Sequence, residues 1–160
     1  MIKRIFLLAS LFASALSASA QTPSIIGTWT LTAADKILPN GTRVPDYGVS
    51  PHGLAVFTAD GHYIVEIYRA DRHPFASGDR AKGTPEEYRE ASLSMSVHFG
   101  RYTVDPAKGT IIFHVDRASF PNLDETTQVR PYKLEGDELS WKVTARPDGS
   151  IPVTMLQRVK

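Results

Sequence analysis

From residue 27 onward, apolar and polar positions alternate in short runs broken by turn residues, the period-two pattern of half-buried strands. In residues 27–34 the alternation puts Trp29, Leu31 and Ala33 on one face. Residues 52–58 and 62–69 flank Asp60-Gly61, a dipeptide suited to the positive φ of a tight hairpin. Residues 100–104 and 110–116 lie on either side of Asp105-Pro106-Ala107-Lys108-Gly109. Residues 126–135 meet 137–144 across Gly136, and Pro147-Asp148-Gly149-Ser150 leads into 152–159. These eight runs, with no βαβ alternation, predict an all-β, eight-stranded antiparallel up-and-down barrel, with a sandwich as the alternative. Trp29 is expected to lie buried at a closed end of that barrel.

Two connections are longer. Residues 35–51 carry Pro39, Asn40-Gly41, Pro45, Gly48 and Pro51, so they read as a loop with turns, long enough to cover a barrel mouth. Residues 70–99 contain one helix signal, between the third and fourth of the eight strands. Thr84-Pro85-Glu86-Glu87 combines an N-cap, a proline at the first helical position and a glutamate three residues after the cap. Tyr88, Ala91, Met95 and Phe99 follow at spacings of three and four, which predicts a helix over 85–97 packed on the barrel wall or rim.

Residues 1–20 have a different texture. Lys3 and Arg4 precede an uncharged apolar stretch over 5–16, and Ala18-Ser19-Ala20 follows. This is the layout of a secretory signal peptide, too short in its apolar part to span a bilayer, and it predicts cleavage after Ala20 and an exported domain over 21–160. Without Lys3 and Arg4 the formal net charge moves from +1 to −1. That balance gives no basic surface for nucleic acid. The chain has no cysteine, which excludes disulfides, thiol nucleophiles and cysteine metal sites. No membrane span is expected after signal cleavage, and the oligomeric state is open.

Several segments together resemble a known family. Gly27-Thr28-Trp29 is similar to the Gly-x-Trp signature of lipocalins. Pro39-Asn40-Gly41-Thr42, Thr58-Ala59-Asp60-Gly61, Phe75-Ala76-Ser77-Gly78-Asp79 and Gly83-Thr84-Pro85-Glu86-Glu87-Tyr88 resemble the bacterial and fungal lipocalin-like domain family more closely. Phe99-Gly100-Arg101-Tyr102, Phe120-Pro121-Asn122 and Gln128-Val129-Arg130 continue the series in order. The resemblance implies a calycin-type barrel with a central cavity and implies little about chemistry. The family's usual pair of consecutive histidines in the fifth strand stands here as Phe113-His114.

Among residues that could carry chemistry, Arg130 is the most informative. Lys133 and Glu135 want water, so strand alternation turns Gln128, Arg130, Tyr132 and Leu134 to the barrel interior. An inward arginine is either a structural ion pair or clamp, or an anchor for an acidic or carbonyl-bearing ligand. A second set comprises His114, His98, Tyr102 and Tyr63, with His98 ending the helix and Tyr102 on the next strand. A histidine near a tyrosine is suited to acid–base work, or is simply a hydrogen-bonded imidazole at a cavity wall. The five histidines show no HxH or HExxH spacing, and no nucleophile elbow, phosphate loop or dinucleotide fingerprint occurs. No metal or cofactor is expected, and no catalytic residue is assigned. Three functions fit: a binding protein for a small, partly apolar ligand, an isomerase- or cyclase-type enzyme using the cavity, or a ligand-free accessory protein with a filled core.

Overall fold

The computed structural model describes residues 24–160; the expected signal peptide, residues 1–20, lies outside them. The strands are β1 (Gly27–Ile37), β2 (Arg43–Pro45), β3 (His52–Phe57), β4 (His62–Tyr68), β5 (Met95–Asp105), β6 (Thr110–Ala118), β7 (Thr127–Glu135), β8 (Glu138–Lys142) and β9 (Ile151–Arg158). One α-helix, α1 (Pro85–Leu93), lies between β4 and β5. Sequential strands from β3 to β9 pair antiparallel, and β1 pairs with both β3 and β9. The sheet therefore closes into an eight-stranded up-and-down barrel. The three-residue β2 is an addition: it doubles back on Asp35, Lys36 and Ile37 inside the connection read from sequence as pure loop.

The barrel has two unlike ends. At one end the strands join through tight turns: Asp60-Gly61 between β3 and β4, 106–109 between β5 and β6, and Gly136-Asp137 between β7 and β8. Gly61, Gly109 and Gly136 all take positive φ there (85°, 62° and 60°), which favours residues without a Cβ. At the other end the connections are long: 38–51, 69–94 with α1, 119–126 and 143–150.

Period-two alternation sets what faces inward. On β6, Ile111, Phe113 and Val115 are buried, while His114 and Asp116, which alternate with them, are exposed. On β1 the alternation slips. A register shift between Leu31 and Ala33 against β9 carries the inward face from Leu31 to Ala34 instead of Ala33. A second irregularity faces Gly100 of β5, where a Cβ would lie 2.1 Å from the carbonyl oxygen of His114. Only glycine permits that approach.

The helix starts as its sequence signal predicts and stops sooner. Thr84 Oγ1 accepts from the Glu87 amide at 3.2 Å, and Glu87 Oε2 accepts from the Thr84 amide at 2.7 Å. Glu87 Oε1 also accepts from the Ala76 amide at 2.7 Å, which ties the preceding loop to the helix. Residues 95–97, expected to be helical, and His98, expected to end the helix, belong to β5 instead. Their alternation puts Ser96 and His98 on the interior side and Val97 and Phe99 on the outside, and they complete a ladder with β4 from Tyr68↔Met95 to Ile64↔Phe99. A full backbone ladder outweighed a helical stripe of only four residues. No residue of α1 is buried, so the helix sits on the rim.

The core concentrates at the tight-turn end. Phe57, Tyr63, Tyr102, Phe113 and Trp141 form a connected aromatic cluster, and Trp29, Ile111, Leu139 and Leu156 share the core with it. Phe113 lies edge-on to Tyr63 and Trp141, at centroid distances of 4.7 and 5.8 Å. Trp29 is fully buried, and its indole N–H donates to the Ile25 carbonyl at 2.8 Å. Arg158 lies over that indole at 4.1 Å and donates to the carbonyls of Ile26 and Ser24, sealing this end. Among the described residues no helix is long and apolar enough to cross a membrane.

Candidate functional site

Above the aromatic cluster the barrel is open. A cavity of about 450 Å³ occupies the half under the long connections. That size matches the range usual for small-molecule sites. Its walls carry Ala34 from β1, Val65 and Ile67 from β4, and Val153 and Thr154 from β9. Met95 and Ser96 from β5 and Val143 beyond β8 complete the collar. The mouth is rimmed by Leu93 at the end of α1 and Phe120 in the β6–β7 connection, which are 60% and 58% exposed.

The polar floor of the cavity is Arg130 and His98. Arg130 sits on β7 opposite Ile111 of β6 and is only 5% exposed. Its guanidinium stacks over Phe113 at 4.7 Å, and its two terminal nitrogens lie 3.4 and 3.5 Å from His98 Nε2. Its Nε has no hydrogen-bond partner in the protein. Among the described residues no carboxylate forms an ion pair with it. Each of the Asp and Glu ion pairs engages another cation. Of the two sequence readings, the structural ion pair is therefore not made among the described residues. Burial lowers the guanidinium's pKa to about 10, which leaves it cationic at neutral pH.

His98 is the third member of a buried polar chain. Its Nδ1 lies 2.9 Å from the Tyr63 hydroxyl. Burial first, and the neighbouring Arg130 charge second, push its pKa down to about 3, so the ring is neutral across the physiological range. Burial likewise pushes the Tyr63 phenol up, with the Arg130 charge acting in the opposite sense. Arginine can only donate, so His98 Nε2 must be the acceptor of this contact and the ring proton must sit on Nδ1, where it donates to Tyr63 Oη. Arg130, His98 and Tyr63 thus form one directional row from cavity floor to aromatic core.

The structure sorts the sequence candidates by depth and face. Arg130, His98 and Gln128 line the cavity, and Tyr63 stands directly behind His98. Gln128 Nε2 donates to Thr126 Oγ1 at 3.3 Å. Tyr132 shares the inward face of Arg130 but lies two residues further toward the tight-turn end, opposite Trp141, where it packs on the core below the cavity. Tyr102 is also below it: edge-on to Phe57 at 5.0 Å, with its hydroxyl donating to the Thr58 carbonyl at 2.9 Å. His114 is on the outside of the barrel, next to Thr127, because Phe113 and Val115 take the interior positions of β6. His98 itself is a strand residue and not the end of the helix.

Sequence reasoning expected residues 35–51 to cover a mouth but missed the ion pair that fixes them there. Asp46, in the connection after β2, accepts from both terminal nitrogens of Arg146 at 3.2 and 2.6 Å and pairs with Lys36 at 3.1 Å. Burial acts to raise its pKa, but the hydrogen bonds from Arg146 and Lys36 outweigh that and hold the carboxyl below its ordinary range. This pair fastens the β1–β3 connection to the β8–β9 connection and places Tyr47 in the cavity lining. Its members lie 100 residues apart in irregular segments, and no periodicity marks them. Among the described residues no cluster of His, Asp and Glu is arranged to hold a metal ion.

A family model for the lipocalin-like domain matches residues 26–157, nearly the whole described chain. The chain belongs to the lipocalin-like domain family. No curated protein matches it. Among solved structures, a redesigned β-barrel is similar at 15% identity, with 84% of this chain and 91% of that chain covered and a TM-score of 0.41. In this lipocalin-like chain the Gly-x-Trp segment, Gly27-Thr28-Trp29, lies at the closed end, and the long connections surround the opening.

Proposed function

We propose that this lipocalin-like protein binds a small, partly apolar monocarboxylic acid, which enters head-first and meets Arg130 at the cavity floor. The observation that carries the reading is a buried guanidinium without a carboxylate partner at the bottom of an open apolar collar. Leaving a cation so placed is costly unless something neutralises it, and a carboxylate supplies two acceptor oxygens in the matching geometry. Val65, Ile67 and Val153 then cover the ligand's apolar body, and Leu93 and Phe120 meet its outer end. An open cavity of this size supports a binding role over a ligand-free accessory with a filled core. The leader-like residues 1–20 support an exported site of action, which N-terminal sequencing of secreted protein beginning at Gln21 would establish.

A second reading, an isomerase-type enzyme, is favoured by one observation: a histidine and a tyrosine lie in hydrogen-bond contact beside the cavity. The low pKa of His98 makes it a weak base, and this ranks the binding role first. Calorimetric titration of the folded wild type and of Arg130→Met with medium-chain fatty acids, arylalkanoic acids and their uncharged amides tests the binding reading. Wild type should prefer the acids, and Arg130→Met should weaken them by about 1.5–3 kcal/mol, the range for a hydrogen bond to a charged group. Equal affinities in the two proteins would remove Arg130 from the site.

A further inference from the structure

Building on the reading that an anion is received at Arg130, we propose that His98 and Tyr63 form a reversible second arm of the site. In the empty cavity His98 accepts from Arg130. In the filled cavity His98 donates its Nε2–H to the ligand oxygen, and Tyr63, as the positioning residue, changes from acceptor to donor at Nδ1.

Donor inventories fix the direction of the row. Arg130 offers only N–H groups, so the row runs Arg130 to Nε2, then Nδ1–H to Tyr63 Oη. The two Arg130 contacts, at 3.4 and 3.5 Å, are at the long limit for a hydrogen bond and are readily given up. Nδ1 is turned to Tyr63, which does not line the cavity, whereas Nε2 is turned to Arg130, which does. Nε2 is therefore the ring atom that meets a ligand.

A carboxylate that takes over the guanidinium N–H groups brings an oxygen lone pair against the lone pair of Nε2. The ring resolves that repulsion either by gaining a proton or by exchanging one tautomer for the other. The charged and titratable groups acting on His98 are Arg130 on β7 and, through its hydroxyl, Tyr63 on β4. Asp116, on the outside of β6, acts on Tyr63. Burial and Arg130 both oppose an imidazolium. A tautomer change keeps the ring neutral, and a phenol hydroxyl serves equally as acceptor or donor, so Tyr63 can follow the change without moving. One proton leaves Nδ1 and one arrives at Nε2, with no net uptake. The site then demands acceptor oxygens at both arms, which suits a carboxylate and disfavours ligands that present N–H groups.

The test uses the full chain with ¹⁵N-labelled histidine, observed empty and saturated with 4-phenylbutanoate. The His98 proton should be on Nδ1 in the empty protein and on Nε2 in the filled one. Calorimetry in buffers of different ionisation enthalpy should show no proton uptake. Tyr63→Phe loses the Nδ1 hydrogen bond in the empty and the filled state alike, so it should keep the affinity for the same acid within about tenfold of wild type and shift the Nδ1 resonance in both states; an unmoved Nδ1 resonance removes Tyr63 from the arm. The same tautomer in both states, or an imidazolium in the filled state, overturns this inference while leaving the binding function intact. A wild type that binds none of the acid panel overturns the functional reading and this inference with it.

Discussion

The end of the barrel that carries the Asp60-Gly61 turn and the end that carries α1 use the same strands to opposite purposes. Below Phe113, inward positions hold large aromatic rings with almost every polar atom satisfied; Trp141 Nε1 is the exception. Above it they hold Val, Ile, Ser and Thr around empty space, with a neutral histidine and a lone cation at the bottom. The lower half gains stability from ring burial. The upper half spends some of it on a floor that is unfavourable until a ligand arrives. Phe113 is the boundary, because one face carries the guanidinium and its edges meet the aromatic cluster.

Substitutions that respect this division should move stability in opposite directions. Trp29→Ala or Trp141→Ala should each lower the unfolding free energy by about 3–5 kcal/mol, read by urea denaturation. A loss below 1 kcal/mol would show that the lower half is not the stabilising one. Arg130→Met removes an unpaired buried charge and should instead raise the stability of the empty protein by about 1–4 kcal/mol. A destabilised, folded Arg130→Met would mean that the cation has a structural partner.

Acid should act mainly through the upper half. His98 has an ordinary value of 6.5 and is held near 3 in the folded chain, so between these limits the unfolded state binds the extra proton. Stability is therefore full above 6.5 and falls as pH drops toward 3, by up to about 1.4 kcal/mol per pH unit. His98→Phe should flatten this slope in the upper part of the window, above the range in which carboxylates titrate. An unchanged slope would remove the buried imidazole as its source. The smallest effect belongs to the rim: Thr84→Ala should lower stability by about 1 kcal/mol through the lost cap and leave acid binding unchanged. A large loss of affinity would show that α1 does more than edge the mouth.

The lower half was legible in the sequence, and the upper half only in part. Tight turns announce themselves through Asp60-Gly61, Gly109 and Gly136, and strands through alternation, so barrel order and the burial of Trp29 followed from local rules. The inward direction of Arg130 was legible for the same reason, fixed by its neighbours Lys133 and Glu135. Its lack of a partner was not, because that depends on what seven other strands present at the same height. His98 was misplaced because Tyr88, Ala91, Met95 and Phe99 also fit a helical stripe. The competing signal, Val97 and Phe99 alternating with Ser96 and His98, is only a few residues long. Asp46 and Arg146 meet through two irregular connections, where neither periodicity nor propensity operates.

The pairing of β1 with β9 has a consequence for how the molecule forms. Every other ladder of the barrel joins strands adjacent in the chain order of the eight, whereas closure joins Trp29 to Arg158 and Ile37 to Ile151. Contacts between such distant residues form late and slowly, since chain entropy must be lost before they yield anything. Until Ile151–Arg158 is in place, β1 and β8 each present an unpaired edge, and the Trp29 indole lacks its Arg158 cover. Until then the growing barrel remains an open sheet, and β9 is the strand that turns it into a container.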